Sequence, residues 1–188
     1  GDKDNFKPLK HGYPDGDYYI PAMSDAPLRG YNGRHEWFWE PGDEGHIYPL
    51  AELMNMYYKS VGRNSTLIIG LTPNPDGLLP EPDVKRLKEW GDEIKKRFSN
   101  PIAETSGSGK TFKLNLPSKQ TVNQLVLMED ITLGERVRTF TVEGKTEGKW
   151  EKIFQGSVIG HKFIHQFDKQ EFTALRLKVN ASVEEPQI

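Results

Sequence analysis

The stretch Thr66-Leu67-Ile68-Ile69-Gly70-Leu71 is an unbroken apolar run of strand length. Such a run predicts a strand buried on both faces, as in a parallel sheet. Outward from it, the spacing turns helical on both sides. Upstream, Ile47, Leu50, Leu53, Met54, Tyr57, Tyr58 and Val61 recur at three- and four-residue intervals. They predict a helix with Pro49 near its first turn and Gly62 as its stop. Downstream, Thr72–Pro80 holds three Pro and a Gly and reads as a loop. Pro82 then opens a second helix. Its apolar stripe is Val84, Leu87, Gly91, Ile94 and Phe98, with Lys85, Lys88, Glu89, Asp92 and Lys95 outside. Helix, strand and helix in this order form an α/β unit. Residues 1–46 are Pro- and Gly-rich and read as loops, apart from a short strand predicted at Asp17–Met23.

Residues 99–109 read as a linker, and beyond them the period changes to two. Phe112, Leu114 and Leu116 alternate with polar residues. So do Val122 with Leu125–Leu127, then Val137, Phe140 and Val142, then Ile153, then Phe163, His165 and Phe167, then Leu175, Leu177 and Val179. Turn signals separate these runs at Leu133-Gly134-Glu135, Glu143-Gly144, Glu147-Gly148 and Ile159-Gly160. Short strands at regular spacing predict a β-sandwich. The expected class is α+β and multidomain, with boundaries at 1–98, 99–109 and 110–188. One α/β unit with two helices cannot close a barrel, so the first region is either a minimal domain or part of something larger.

Composition narrows the function classes. The chain has 188 residues, with 25 Lys+Arg against 27 Asp+Glu and a net charge of −2. No polybasic field is available for a phosphate backbone, so no nucleic-acid partner is expected. Mean hydropathy is −0.68, and no apolar run reaches the roughly 18 residues of a membrane span. The absence of Cys excludes disulfides, thiol catalysis and thiolate metal sites. No cofactor and no metal site is expected. Gly107-Ser108-Gly109-Lys110-Thr111 imitates a phosphate loop, but Glu104 stands where the pattern needs Gly and an alternating strand follows instead of a helix.

The densest chemistry lies at Arg34-His35-Glu36-Trp37-Phe38-Trp39-Glu40-Pro41. Aromatic faces stack on the C–H faces of sugars, while Arg, His and carboxylates bind hydroxyls. A carboxylic acid beside Trp rings is also desolvated, which raises its pKa and suits it to general-acid work. The same block would equally serve as an aromatic staple for a long loop. Asp25, Arg29, Asp43 and Glu44 flank it, and paired carboxylates are the equipment of glycoside hydrolysis. A loop Asp is also an ordinary turn residue. His161 and His165 stand four apart and could share a strand face. Trp150 reads as core. Arg63 and Asn64 either point to a site at the far end of the strand or close a turn.

Taken in order, five segments resemble the family 29 glycoside hydrolases, the α-L-fucosidases. They are Tyr19–Asp25, Glu36–Trp39, Tyr58–Asn64, Leu67–Pro73, and Asp76-Gly77 with Asp83. The stretch from about Asp17 to Phe98 resembles the end of that family's (β/α)8-like barrel. From Ile102 onward the chain resembles the galactose-binding, discoidin-like jelly-roll sandwich that follows it, on Leu127–Ile131, Gly134–Val137, Trp150 and Gly156–His161.

The resemblance implies a retaining mechanism with an Asp nucleophile upstream of this chain, so the chain alone is expected to be inactive. It implies a fucosylated glycan as ligand, with Trp37 and Trp39 walling the sugar. Arg34, His35, Glu36, Asp25 and Arg29 would bind it. Glu36 is the acid/base candidate, because Met23 stands where many members carry Glu and a thioether transfers no proton. It implies a secreted or periplasmic protein. Two other readings remain open: a non-catalytic carbohydrate-binding or interaction module, and one chain of a split enzyme that self-associates or takes a complementary chain.

Overall fold

The computed structural model describes residues 17–188 apart from 19, 34, 35 and 133. The first half is a two-stranded parallel sheet backed by two helices. Strand β1 is Ala22–Pro27 and β2 is Ser65–Gly70, paired from Ala22↔Ser65 to Pro27↔Gly70. Helix α1 is Leu50–Lys59 and α2 is Glu81–Phe98. Pro49 precedes α1, and Pro82 sits in the first turn of α2, where a missing N–H costs nothing. The first strand therefore lies later than its expected position at Asp17–Met23.

Strand β2 is not buried on both faces. Leu67 and Ile69 pack with Leu28, Leu53, Met54 and Trp90 against the helices. Thr66 and Ile68 face outward, Ile68 at 47% exposure. Their partners on β1, Met23 and Asp25, are exposed beside them. Two helices cover one face of two strands, and the described residues supply nothing for the other. The buried face of α2 is also rotated from the expected stripe. Val84 is 50% exposed, while Asp83 and Trp90 are buried.

The second half is one antiparallel sheet in the order β3-β6-β4-β5. Its strands are β3 (Thr111–Leu127), β4 (Val137–Thr146), β5 (Lys149–Gly156) and β6 (Phe163–Ser182). The runs at Phe112–Leu116 and Val122–Leu127 are one strand, as are those at Phe163–Phe167 and Leu175–Val179. Register shifts between Asn115/Gln120 and Val122/Gln124 bend the β3–β6 pair.

The bend brings distant parts of one strand together. Phe163 lies edge-on to Phe140 with centroids 5.5 Å apart, yet the β6 partner of Phe140 is Val179. A straight strand would separate positions 163 and 179 by about 50 Å. The sheet therefore folds over its own apolar face, enclosing Phe112, Leu127, Phe140, Val142, Phe154 and Leu177. Glu143-Gly144 is not a turn but lies inside β4. A Cβ at Gly144 would enter the Phe172 ring. The true hairpin is Glu147-Gly148, both at positive φ, 50° and 82°.

Residues 107–109 are tied to the carboxy terminus. Gly107 and Ile188 exchange backbone hydrogen bonds, and the Gly109 N–H donates to the Pro186 carbonyl. The two halves join at Asn64, which adopts φ 61°. Its N–H donates to the Lys162 carbonyl, and its side-chain oxygen accepts from the His161 N–H at 2.6 Å. Its side-chain nitrogen donates to Glu135. The Ile164 N–H donates to the Gly62 carbonyl, and the Tyr58 hydroxyl to Gln124. Arg63 and Asn64 thus face the second half and not the far end of β2.

Beside this joint, Glu129 is buried and accepts from the N–H groups of Arg136, Val137 and Gly160. Burial, then the neighbouring Glu129 charge, pushes the Glu135 carboxyl above the ordinary glutamate range. At this group the native state therefore binds more protons than the unfolded chain as pH rises from about 4.3, and the contribution of Glu135 to stability falls through that window. Glu135→Gln keeps an acceptor for Asn64 and removes the charge. As pH rises through that range, the urea midpoint of the parent chain should fall relative to that of the variant.

Candidate functional site

The loop from Leu28 to Tyr48 grows from the carboxyl end of β1. Ligands of open α/β sheets bind outside the carboxyl ends of the strands. The loop's shape is set at Arg29, whose backbone pairs in antiparallel bridges with both Glu36 and Ile47. The Leu28 N–H donates to Gly70, and the Tyr48 N–H returns to Leu28. The N–H groups of Gly30 and Tyr31 both donate to the His46 carbonyl.

Arg29 is fully buried. Its Nε and Nη2 donate to the two oxygens of Asp83 at 3.0 and 2.6 Å, a bidentate fork. Asp83, in the first turn of α2, is fully buried too. That hydrogen bond outweighs the cost of desolvation and raises the Arg29 pKa above its ordinary value; the Asp83, Glu44 and Asp43 charges act in the same direction. Arg29 Nη1 and Asp43 Oδ2 are buried with no hydrogen-bond partner among the described residues.

Sequence reasoning missed the pairing of Arg29 with Asp83. An Asp just after Pro82 reads as an ordinary first-turn acid, and nothing local signals a partner 54 residues away.

The ion pair and the bridges place the aromatic block. Trp37 lies across the carboxyl end of β2: an added Cβ at Gly70 would sit 2.8 Å from its Cζ3. Trp37 is half-exposed, Phe38 is 83% exposed and Trp39 is partly buried. Glu36, next to Trp37 in sequence, is buried. Asp25 is exposed on the open face of β1, two residues before that strand ends. The structure thus brings Glu36, Trp37 and Arg29 into one loop, with Arg29 turned into its base. Arg34 and His35 lie outside the described residues.

His161 and His165 do not meet. His161 precedes β6, and His165 stacks on Phe154 at 3.8 Å, where burial lowers its pKa. No cluster of three or more metal-ligating side chains forms among the described residues. A cavity of about 490 Å³ lies elsewhere, between residues 100–106 and β3. Phe98, Ile102, Leu114, Leu116 and Leu125 line it together with Glu104.

Comparison with known proteins gives this loop its context. No family model matches the chain. A candidate α-L-fucosidase of Bacteroides thetaiotaomicron is 54% identical over 98% of this chain, with a TM-score of 0.95. The relatives of this chain carry the name α-L-fucosidase. Alpha-L-fucosidase 1 of Arabidopsis thaliana is 27% identical over 92% of the chain. A glycoside hydrolase 29 family member from an unknown rumen bacterium is 27% identical over 96%, with a TM-score of 0.79. The chain spans only 43%, 40% and 35% of the lengths of these three relatives.

Gly70→Ala tests the seat of Trp37. The added methyl must displace the ring, at about 1–3 kcal/mol of overpacking cost. Iodide quenching of tryptophan fluorescence should rise in Gly70→Ala and be unchanged by the same substitution in a Trp37→Phe background.

Proposed function

We propose that this chain is the carboxy-terminal portion of a retaining α-L-fucosidase and completes its sugar pocket. The carrying observation is the aromatic loop seated on the carboxyl end of a parallel strand pair in a chain with a 54%-identical fucosidase-like relative. In this reading residues 1–98 are the end of the catalytic barrel. Residues 99–109 connect it to a galactose-binding-like jelly-roll sandwich at 110–188, a reading supported by the bent, self-enclosing sheet.

The substrate is a terminal α-L-fucoside on a glycan. Two carboxyl groups about 5 Å apart act in such hydrolysis: one attacks the anomeric carbon, and the other protonates the departing oxygen and then deprotonates water. The attacking Asp lies outside this chain. Trp37 and Trp39 wall the sugar, and Glu36 is the acid/base candidate or binds a hydroxyl. Arg29 acts from below, by holding the loop. The open face bearing Met23, Asp25 and Ile68 favours completion by further barrel strands. The expected compartment is secreted or periplasmic.

The test is hydrolysis of an aryl α-L-fucoside by the purified chain. No turnover above buffer is expected. Turnover that Glu36→Ala abolishes would overturn the reading, because this chain would then carry a complete site.

A further inference from the structure

Trp150 does not enter the core of the sheet. It lies half-buried on the outer face, with the Arg176 guanidinium 4.2 Å above its ring and Lys145 Nζ 5.9 Å away. Strand register shows what surrounds it. Lys113 on β3, Arg176 on β6, Glu143 on β4 and Lys152 on β5 are successive partners, so they form one row across all four strands. Lys145 and Trp150 are partners on one side of that row, and Lys178 and Thr141 are partners on the other.

Five cations and one carboxylate thus share a face of a chain whose net charge is −2. Glu143 binds Arg176 at 2.5 and 2.6 Å and Lys178 at 3.3 Å, which holds both cations in place. Lys113, Lys145 and Lys152 make no ion pair among the described residues.

We propose that this face binds an acidic glycan, a polysaccharide carrying sulfate or carboxylate groups. Neighbouring strands stand about 5 Å apart and same-face residues about 7 Å apart along a strand. The cations therefore form a shallow lattice without a closed pocket, which suits an extended polymer. The guanidinium pinned by Glu143 keeps donors for an oxyanion, and the Trp150 ring offers an apolar edge to a sugar ring. The homologues are glycosidases, which makes the polyanion a glycan in preference to a nucleic acid. The site is distinct from the aromatic loop, and its test involves no fucoside turnover.

The probes are dextran sulfate, alginate, uncharged dextran and oligo-dT, in affinity electrophoresis of the whole chain. Dextran sulfate or alginate should retard it, and the two arms separate sulfate from carboxylate recognition. Dextran should not retard it. Lys113→Glu with Lys152→Glu should weaken binding about tenfold or more. Lys85→Glu with Lys95→Glu, the same charge change on exposed positions of α2, should stay within about twofold. Equal losses in both pairs, no retardation by either polyanion, equal retardation by dextran, or tighter binding of oligo-dT would each overturn the proposal.

Discussion

The buried ion pair between Arg29 and Asp83 is the constraint on which the first half of the molecule depends. Two fully buried charges carry a desolvation cost of several kcal/mol each, recovered only through good geometry. The bidentate fork supplies that geometry. Removing one partner strands the other, and such losses cost about 3–5 kcal/mol. The pair fixes the first turn of α2 under the loop that leaves β1. Because the Arg29 backbone also bridges Glu36 and Ile47, the two limbs of the loop are set by the same residue. Trp37 comes to rest on Gly70 as a consequence, and Glu36, the residue before it, is buried.

Two joints then fix the rest of the chain, the first of them to this unit. At one, Asn64 uses a left-handed backbone and both ends of its amide to hold the His161–Lys162 turn and Glu135. At the other, the segment before β3 pairs with the carboxy terminus at Gly107 and Ile188. A stretch with linker composition is thereby a structural element, its glycines used at positive φ to turn the chain into β3. The sheet beyond it presents two unlike faces, one folded inward over phenylalanines and one outward with its row of charges.

Much of this was legible in the sequence. The helices followed from apolar spacing and from prolines at their starts. The aromatic block was marked by its composition. What periodicity could not give was partnership. Thr66–Leu71 reads as doubly buried because its apolar run is continuous, yet burial of Ile68 depends on a neighbour that the described residues do not contain. Gly144 reads as a turn because nothing local reveals the Phe172 ring above it. Trp150 reads as core because a sequence cannot show that Arg176 covers its face. Arg29 reads as a sugar ligand from its neighbours in sequence, and sequence could not show that its side chain pairs with Asp83 on a helix far along the chain.

The most direct measurement is amide hydrogen exchange, residue by residue, in the parent chain and in Asp83→Ala. If the ion pair seats the loop, protection at Gly30, Tyr31 and Tyr48 should collapse in the variant while amides of β4 and β6 keep theirs. Unchanged protection at those three amides would contradict the account, because the loop would then be held by its backbone bridges alone.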